Sequence, residues 1–313
     1  MRLVFCGTPS FAVPALHAVV HAGHDVALVV TQPDRQSGRG LELAAPAVKQ
    51  AAAALNLPVL QPEKIKNNVE LRTQLEAIAP DAILVVAYGR IIPQWMLALP
   101  KYGNINLHGS LLPKYRGAAP VQWAVSNGDV LTGVTTMRID EGLDTGDMLL
   151  QREVPIGPEQ TSRELFPLLA EVGAALMVET LDRLAAGSIV PRKQNHDEAT
   201  LAPILMREDA LVDWSRDARR IYNRWRGFQS WPGAYTFFRG KKLIVHRLLP
   251  ADGVQTEKCG EVLEAQEKLL VQCGDGSVLE LIEVQMEGKK RMTAVEFLRG
   301  HQIKPGERLG RPR

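Results

Sequence analysis

The first half of the chain alternates between short, almost unbroken apolar runs and longer stretches with apolar residues three and four apart. "RLVFCGT" (2–8), "DVALVVTQ" (25–32) and "DAILVVAYG" (81–89) are the continuous runs, the pattern of strands buried on both faces. "SFAVPALHAVVHAGH" (10–24), "APAVKQAAAALN" (45–56) and "NNVELRTQLEAIA" (67–79) have helical spacing, the first stopped by Gly23 and the last opened by an Asn at a cap position. Between them lie a polar, Gly-rich loop, "PDRQSGRG" (33–40), and a short extended piece, "LPVLQP" (57–62). Strand alternating with helix predicts an α/β fold: a mostly parallel sheet with helices on both faces.

"YGNINLHG" (102–109), "VLTGVTTMRID" (130–140) and "MLLQREVPI" (148–156) continue the extended segments. Residues 161–187 form a long amphipathic helix ending at Gly187, and its Thr161 and Glu164 have the spacing of a capping box. Residues 188–206 show no period and read as a surface linker. Beyond them, 241–250, 261–276 and 277–285 are short strands separated by Gly turns, the pattern of a small β-rich barrel. No internal repeat or low-complexity tract is present. No apolar run approaches the ~18 residues of a membrane helix. "MRLVFCGTPSF" reads as a buried strand and turn rather than a signal peptide, so a cytoplasmic location is expected.

Composition adds two points. At 313 residues, 45% hydrophobic and 23% charged, the chain has material for two ordinary globular domains. Its net charge of +2 is unevenly spread: residues 1–204 hold 17 basic and 20 acidic side chains (−3), and residues 205–313 hold 20 and 15 (+5). A basic last third suits a polyanionic partner, or else is a solvated surface. Cys6, Cys259 and Cys273 are scattered, which argues against a disulfide framework and a zinc site and makes each a small core residue.

The candidate chemistry lies in "GNINLHGSLLPKYRGAAP" (103–120). Strand alternation puts Asn106 and His108 on one face and Ile105 and Leu107 on the other, in the core. The strand then delivers its polar face to the carboxyl edge of the sheet, where open α/β sheets bind ligands. A satisfied core histidine and a turn-capping Asn would be the bland alternative. "IDEGLDTGDM" (139–148) packs four acids into a Gly-bearing loop, and Asp140, Asp144 and Asp147 are all candidates to orient the imidazole. With no G-x-S-x-G elbow, the set suits direct acyl transfer between two bound substrates better than a covalent acyl-enzyme. "FCGTPSF" lacks the glycines of G-x-G-x-x-G, which weakens a dinucleotide reading. No metal is expected, because no His/Cys/Asp cluster has ligand spacing. His196, Asp197 and Glu198 sit in the expected linker and read as a solvated turn. Arg219, Arg220, Arg224 and Arg226 could share one helix beside Trp225, Phe228, Trp231, Tyr235 and Phe237; the aromatics suit a core and the arginines phosphate contacts.

"FCGTPSFAVPAL", "TQPDRQSGRG", "VVAYGRIIP", "NLHGSLLPKYRGAAP", "GLDTGDM" and "WPGAYT" occur in this order, and together they resemble the methionyl-tRNA formyltransferase family across nearly the whole chain. The resemblance implies a Rossmann-like catalytic domain over 1–189, a linker over 190–207 and an OB-like tRNA-binding domain over 208–313. It implies transfer of a formyl group from 10-formyltetrahydrofolate, used as co-substrate, to methionyl initiator tRNA. It makes Asn106, His108 and Asp144 the catalytic trio, selecting Asp144 among the three acids. Ser110, Leu111, Leu112 and Pro113 match the run bordering the folate, joined by the backbone around Val86, Tyr88 and Gly89. The loop around "DRQSGRG", with Arg39, matches the family's tRNA-reaching insertion; Lys114, Arg116, Arg220 and Arg224 complete the expected tRNA contacts. Leu41 and Glu42 stand where family members often have a basic pair. A monomer satisfies all of this. The rival readings are a formyltransferase acting on glycinamide ribonucleotide or an amino sugar nucleotide, a hydrolase releasing formate from the same folate, and a non-catalytic RNA-binding protein on the same fold.

Overall fold

The computed structural model describes residues 1–37, 42–253 and 258–311. By its contacts the chain gathers into two units. The first takes Met1–Pro120, Leu131–Ile156 and Glu164–Pro203; the second takes Val121–Val130, Gly157–Arg163 and Ile204–Arg313.

The strands of the first unit are, in chain order, β1 (Arg2–Gly7), β2 (Asp25–Val30), β3 (Arg35–Ser37), β4 (Glu42–Ala44), β5 (Val59–Leu60), β6 (Ala82–Val86), β7 (Asn104–His108), β8 (Arg116–Gly117), β9 (Leu131–Arg138), β10 (Met148–Pro155) and β11 (Leu201–Ala202). The helices begin with α1 (Val13–His21), α2 (Ala47–Ala54), α3 (Val69–Ile78), α4 (Gln94–Leu97), then α5 (Pro120–Ser126), which from Val121 on belongs to the second unit, and α6 (Ser162–Ala185), which from Glu164 on belongs to the first. Asn68 caps α3 as expected, its Oδ1 accepting the Leu71 N–H at 2.9 Å.

Among the described residues the main sheet runs β10-β9-β7-β6-β1-β2-β5. The five strands from β7 to β5 are parallel, and the hairpin of β9 and β10 adds an antiparallel edge. Chain order reverses at β1: the strands that follow it go first to one side and then, from β6, to the other. That reversal is a topological switch point, and it opens at the carboxyl ends of β1 and β6. Helices cover both faces. On one, Val4, Cys6, Ile83 and Val85 pack with Leu71 and Leu75 of α3 and Met96 of α4. On the other, Gly173 of α6 lies so close to β7 that a methyl group there would come within 2.7 Å of Leu107 Cδ2.

Two segments differ from expectation. The stretch 33–40, read as a loop, begins an antiparallel ribbon in which Arg35 pairs with Ala44 and Ser37 with Glu42. Its tip, with Arg39, lies outside the described residues. The stretch read as a linker supplies β11, which pairs in parallel with β8; this pairing matters for the site below.

The second unit holds α7 (Ala218–Gly227), β12 (Tyr235–Phe238), β13 (Lys241–Ala251), β14 (Val262–Ala265), β15 (Leu269–Gln272), β16 (Val278–Met286), β17 (Met292–Thr293) and α8 (Ala294–His301). The sheet order is β12-β13-β16-β15-β14, with β17 on β16, and all pairs are antiparallel. Register shifts on either side of Arg247 in β13 bend the sheet into an OB-like half-barrel. Leu243, Val245, Leu248, Leu269, Val271, Leu279 and Leu281 fill it, with Phe238 and Phe297 meeting edge to face at 5.6 Å. α8 has no counterpart among the expected elements, although Thr293 and Glu296 form a complete capping box at its start.

Ile105 is fully buried on β7, on the face opposite Asn106. Ile105→Ala is expected to cost about 2–5 kcal/mol, as for other large-to-small core changes. Urea denaturation measures it, and an unchanged midpoint would contradict the packing described.

Candidate active site

The strand alternation expected for β7 is realised. Leu107 faces α6, while Asn104, on the opposite side, donates its amide to the Met96 carbonyl of α4 at 2.8 Å. Asn106 and His108 share the face of Asn104, one and two steps nearer the carboxyl edge. Asn106 is half-buried, and its side chain makes no hydrogen bond among the described residues. Its amide therefore has donor and acceptor capacity to offer a ligand.

His108 is 5% exposed. Its Nε2 lies 2.8 Å from the Tyr115 carbonyl. A carbonyl can only accept, so the proton sits on Nε2 and the ring is held through that atom. Nδ1 faces Asp144, whose Oδ2 is 3.6 Å away. That separation is too long for a hydrogen bond but within ion-pair distance of the ring in its protonated form. Tyr115 thus holds the ring by a hydrogen bond through Nε2, and Asp144 stands beside the other ring nitrogen.

The three acids left open by the local pattern part company here. Asp140 spends Oδ1 on the Gly142 N–H at 3.0 Å and the Thr145 hydroxyl at 2.7 Å, which shapes the turn. The Asp147 carbonyl accepts the Arg138 N–H at 2.9 Å, a rung of the hairpin. Asp144 alone of the three reaches His108. Its φ of 51° is left-handed, and its Oδ2 accepts the Gly117 N–H at 2.8 Å.

The run after His108 is fixed from beneath. Ser110, fully buried, donates its hydroxyl to the Lys114 carbonyl at 2.6 Å. The Thr135 hydroxyl, directly across from His108 in the β7–β9 register, donates to the Ser110 carbonyl at 2.7 Å and accepts the Leu112 N–H at 3.2 Å. Gln151 donates to the Leu112 carbonyl at 2.9 Å. Leu112 packs with Met137 and Met148. So the Ser110 hydroxyl and the Leu112 side chain serve the protein, while Leu111 and Pro113 are partly exposed. From the other side, residues 200–202 clamp the loop: the Thr200 hydroxyl accepts the Tyr115 N–H at 2.8 Å and its carbonyl the Arg116 N–H at 2.8 Å. Neither this clamp nor Gln151 nor Thr135 was legible beforehand, because nothing in their local sequence marks them.

At the end of β6, Val86 and Tyr88 are buried while Ala87 and Gly89 are exposed with φ of 46° and 74°. The loop turns its backbone outward and its aromatic ring inward, where burial raises the Tyr88 hydroxyl above the usual tyrosine range. The Tyr88 carbonyl accepts the Thr8 hydroxyl at 3.0 Å and the Gln32 amide at 2.9 Å, tying the ends of β1, β2 and β6 together at the switch point. Cys6, one residue before β1 ends, is fully buried and its thiol is pushed up to about 12, so it supplies no thiolate. Among the described residues no group of three or more His, Cys, Asp or Glu side chains could hold a metal ion.

The expected tRNA contacts divide. Lys114 is exposed. Arg220 is exposed at the start of α7, its Nε 3.3 Å from Asp217. Arg224 is half-committed: it bonds the Asp209 carboxylate at 3.0 Å and lies over the Phe228 ring at 4.6 Å. Arg116 is 7% exposed and binds Gln194 and His196, so its charge is held inside the protein and does not meet a phosphate. Arg226 is likewise buried, on the carbonyls of Gly157 and Gln160. Arg39 lies outside the described residues.

The formyl transferase family model matches residues 1–181, and the model for the formyl transferase C-terminal domain matches residues 204–302. The methionyl-tRNA formyltransferase of Acidobacterium capsulatum is 66% identical over 99% of this chain and 100% of its own length. That of Koribacter versatilis is 61% identical over 99% of both. The chain belongs to the methionyl-tRNA formyltransferase family. It is therefore a formyl-transferring enzyme, as the motifs implied. Solved structures similar in fold include an N-formyltransferase from Helicobacter canadensis in complex with folinic acid and dTDP-3-aminofucose (TM-score 0.66, 19% identity, 91% of this chain and 99% of that one). Another is HypX from Aquifex aeolicus in complex with tetrahydrofolic acid (TM-score 0.63, 20% identity, 95% of this chain and 47% of that one).

Gly117 supplies the N–H to Asp144 at φ 122°, and a Cβ there would come within 2.7 Å of the Ala202 carbonyl oxygen. In this formyltransferase Gly117→Ala is expected to lose about 1–3 kcal/mol from backbone strain alone. Chemical denaturation reads the loss, and a wild-type stability would refute the close approach of β8 and β11.

Proposed function

We propose that the enzyme moves the formyl group of 10-formyltetrahydrofolate to the α-amine of methionyl initiator tRNA, at a site built from Asn106, His108 and Asp144. The observation that carries this reading is the state of the three side chains at the carboxyl edge: an amide with no protein partner, an imidazole held only through Nε2, and a carboxylate 3.6 Å from the other ring nitrogen. The full-length relatives named for methionyl-tRNA favour that acceptor over a nucleotide or sugar. The folate complexes of the two structural neighbours favour a folate donor. The outward-turned backbone at 87–89, with Val86, Tyr88 and Gly89, and the run Ser110, Leu111, Leu112 and Pro113 suit the two sides of its ring system.

The chemistry follows from where charge develops. The neutral amine attacks the formyl carbon, a new C–N bond forms, and the carbonyl oxygen gains negative charge before the bond to N10 breaks. Donors already aimed at that oxygen lower the barrier most, by about 2.7–4 kcal/mol each. Asn106 donates from its amide. With Nε2 committed to Tyr115, the second donor is Nδ1–H, present when the ring is an imidazolium. The Asp144 carboxylate stands 3.6 Å from Nδ1, too far to take up that N–H as a hydrogen bond, so Nδ1–H is left for the substrate oxygen. The Asp144 Oδ1, which has no hydrogen bond among the described residues, takes the proton leaving the amine through water and returns it by the same route to N10 of the folate as the C–N10 bond breaks. The metal-free chemistry follows from the amine, already a competent nucleophile.

For the tRNA, the reading assigns Lys114, Arg39, Arg220 and Arg224 to the phosphates, with a catalytic part over 1–189 and the +5 part as the basic holder. The location is cytoplasmic, with translation initiation the destination of the product, and a monomer suffices.

Asn106→Ala, His108→Ala and Asp144→Ala are each expected to lower kcat about 10²–10³-fold, with smaller changes in KM. Single-turnover formyl transfer to methionyl initiator tRNA, methionyl elongator tRNA and free methionine tests the acceptor. Strong preference for the charged initiator supports the reading. Acceptor-independent release of formate would move the enzyme to the hydrolases.

A further inference from the structure

Gln194 is 5% exposed, and its amide is committed at both ends. Nε2 donates to the backbone carbonyls of Asp144 and Gly146, each at 2.8 Å. Oε1 accepts Nε and Nη2 of Arg116 at 3.0 and 2.7 Å. Arg116 in turn gives Nη1 to Nδ1 of His196 at 3.2 Å, so that ring nitrogen is unprotonated. Arg116 takes part in no ion pair among the described residues. A buried guanidinium answered only by neutral acceptors is a costly arrangement. A mere tie between two loops would be made better by a carboxylate, which pairs with Arg116 directly. What only the amide supplies is an acceptor for the guanidinium and two N–H groups for carbonyls at the same time.

Those carbonyls belong to the residue whose carboxylate faces His108 and to the glycine two positions on. Asp144 sits in the left-handed region, which a non-glycine residue leaves unless it is held. Gly146 is wedged so that a Cβ would fall 1.9 Å from the Arg138 carbonyl oxygen. Gln194 grips the turn on both sides of this wedge. Gly117, next to Arg116, grips the same Asp144 by its carboxylate at 2.8 Å. One strand thus holds both ends of the network.

We infer that Gln194, backed by Arg116, is a positioning residue for the reaction: it fixes the strained Asp144 turn so that the carboxylate stands at charge-interaction distance from His108 Nδ1. The inference rests on the role given to Asp144 under Proposed function. It assigns a task in catalysis to a side chain from the stretch that reads as a linker, one that touches neither substrate nor His108.

Gln194→Glu separates positioning from support in the full-length enzyme. The carboxylate keeps an acceptor for Arg116, so the buried guanidinium stays paired and the enzyme is expected to fold, with a melting temperature lowered only by the two carbonyls left without donors. It has no N–H for the two carbonyls, so the turn loosens. A shift of about 1 Å is enough to cost about 10²-fold in rate. The expected result is a fall in kcat of at least about tenfold, with KM for the folate changed less than about threefold, and little further loss when combined with Asp144→Ala. Gln194→Asn, which keeps the amide but shortens its reach, is read the same way if the first variant does not fold. A wild-type kcat, or a loss that tracks melting temperature and adds fully to Asp144→Ala, overturns the inference. If Asp144→Ala itself leaves kcat unchanged, the assignment of Asp144 fails first and takes this inference with it, a result distinct from a silent Gln194→Glu.

Discussion

The hydrogen bond from His108 Nε2–H to the Tyr115 carbonyl is the contact on which the site depends. It decides the tautomer and leaves Nδ1 without a hydrogen bond among the described residues. It works only while the Tyr115 carbonyl stays where it is. That carbonyl belongs to a residue with φ 63°, in a loop that would not hold this shape unaided. The Thr200 hydroxyl and carbonyl hold it from one side, and Ser110 and Thr135 brace the run before it from the other.

The same logic runs through the rest of the site. Polar side chains that look available along the sequence are consumed as braces: the Ser110 hydroxyl, the Thr135 hydroxyl, the Gln151 amide and Arg116 each satisfy backbone or amide groups that burial would otherwise leave unpaired. Among the described residues the Asn106 side chain is left unspent, and His108 and the Asp144 carboxylate are half spent. Buried polar networks of this kind are rigid when complete. That rigidity suits a mechanism resting on donors preset around a developing charge, because nothing then has to reorganise when the charge appears.

The two units solve different packing problems. The parallel sheet is buried on both faces and needs continuous apolar strands such as "AILVV" (82–86). The antiparallel half-barrel has one inner face and needs alternation, with bulges at β13 to close its curve. Their charge divides in the same way, and the basic excess falls in the last third of the chain, which contains the half-barrel.

How much was legible follows from the range of the forces involved. The strands of the main sheet and the long strands of the half-barrel, most helices, the facing of β7 and the pair Asn106 and His108 could be read directly, because strand and helix periodicity is a local property written in neighbouring residues. The order "GLDTGD" pointed to Asp144 only through resemblance; locally Asp140 and Asp147 were its equals, and the fold separated them by placing one carboxylate at 3.6 Å and turning another into a local cap. Arg116 reads as an exposed phosphate ligand in "PKYRG" and is instead buried on Gln194, 78 positions away. Gln194 itself lies in a stretch with no period, indistinguishable from a solvated loop until β11 docks on β8. Local pattern therefore determined the elements and which faces they bury. The hydrogen-bond partners of buried polar groups were decided by the tertiary structure, since a donor's partner depends on which distant segment the fold brings to it.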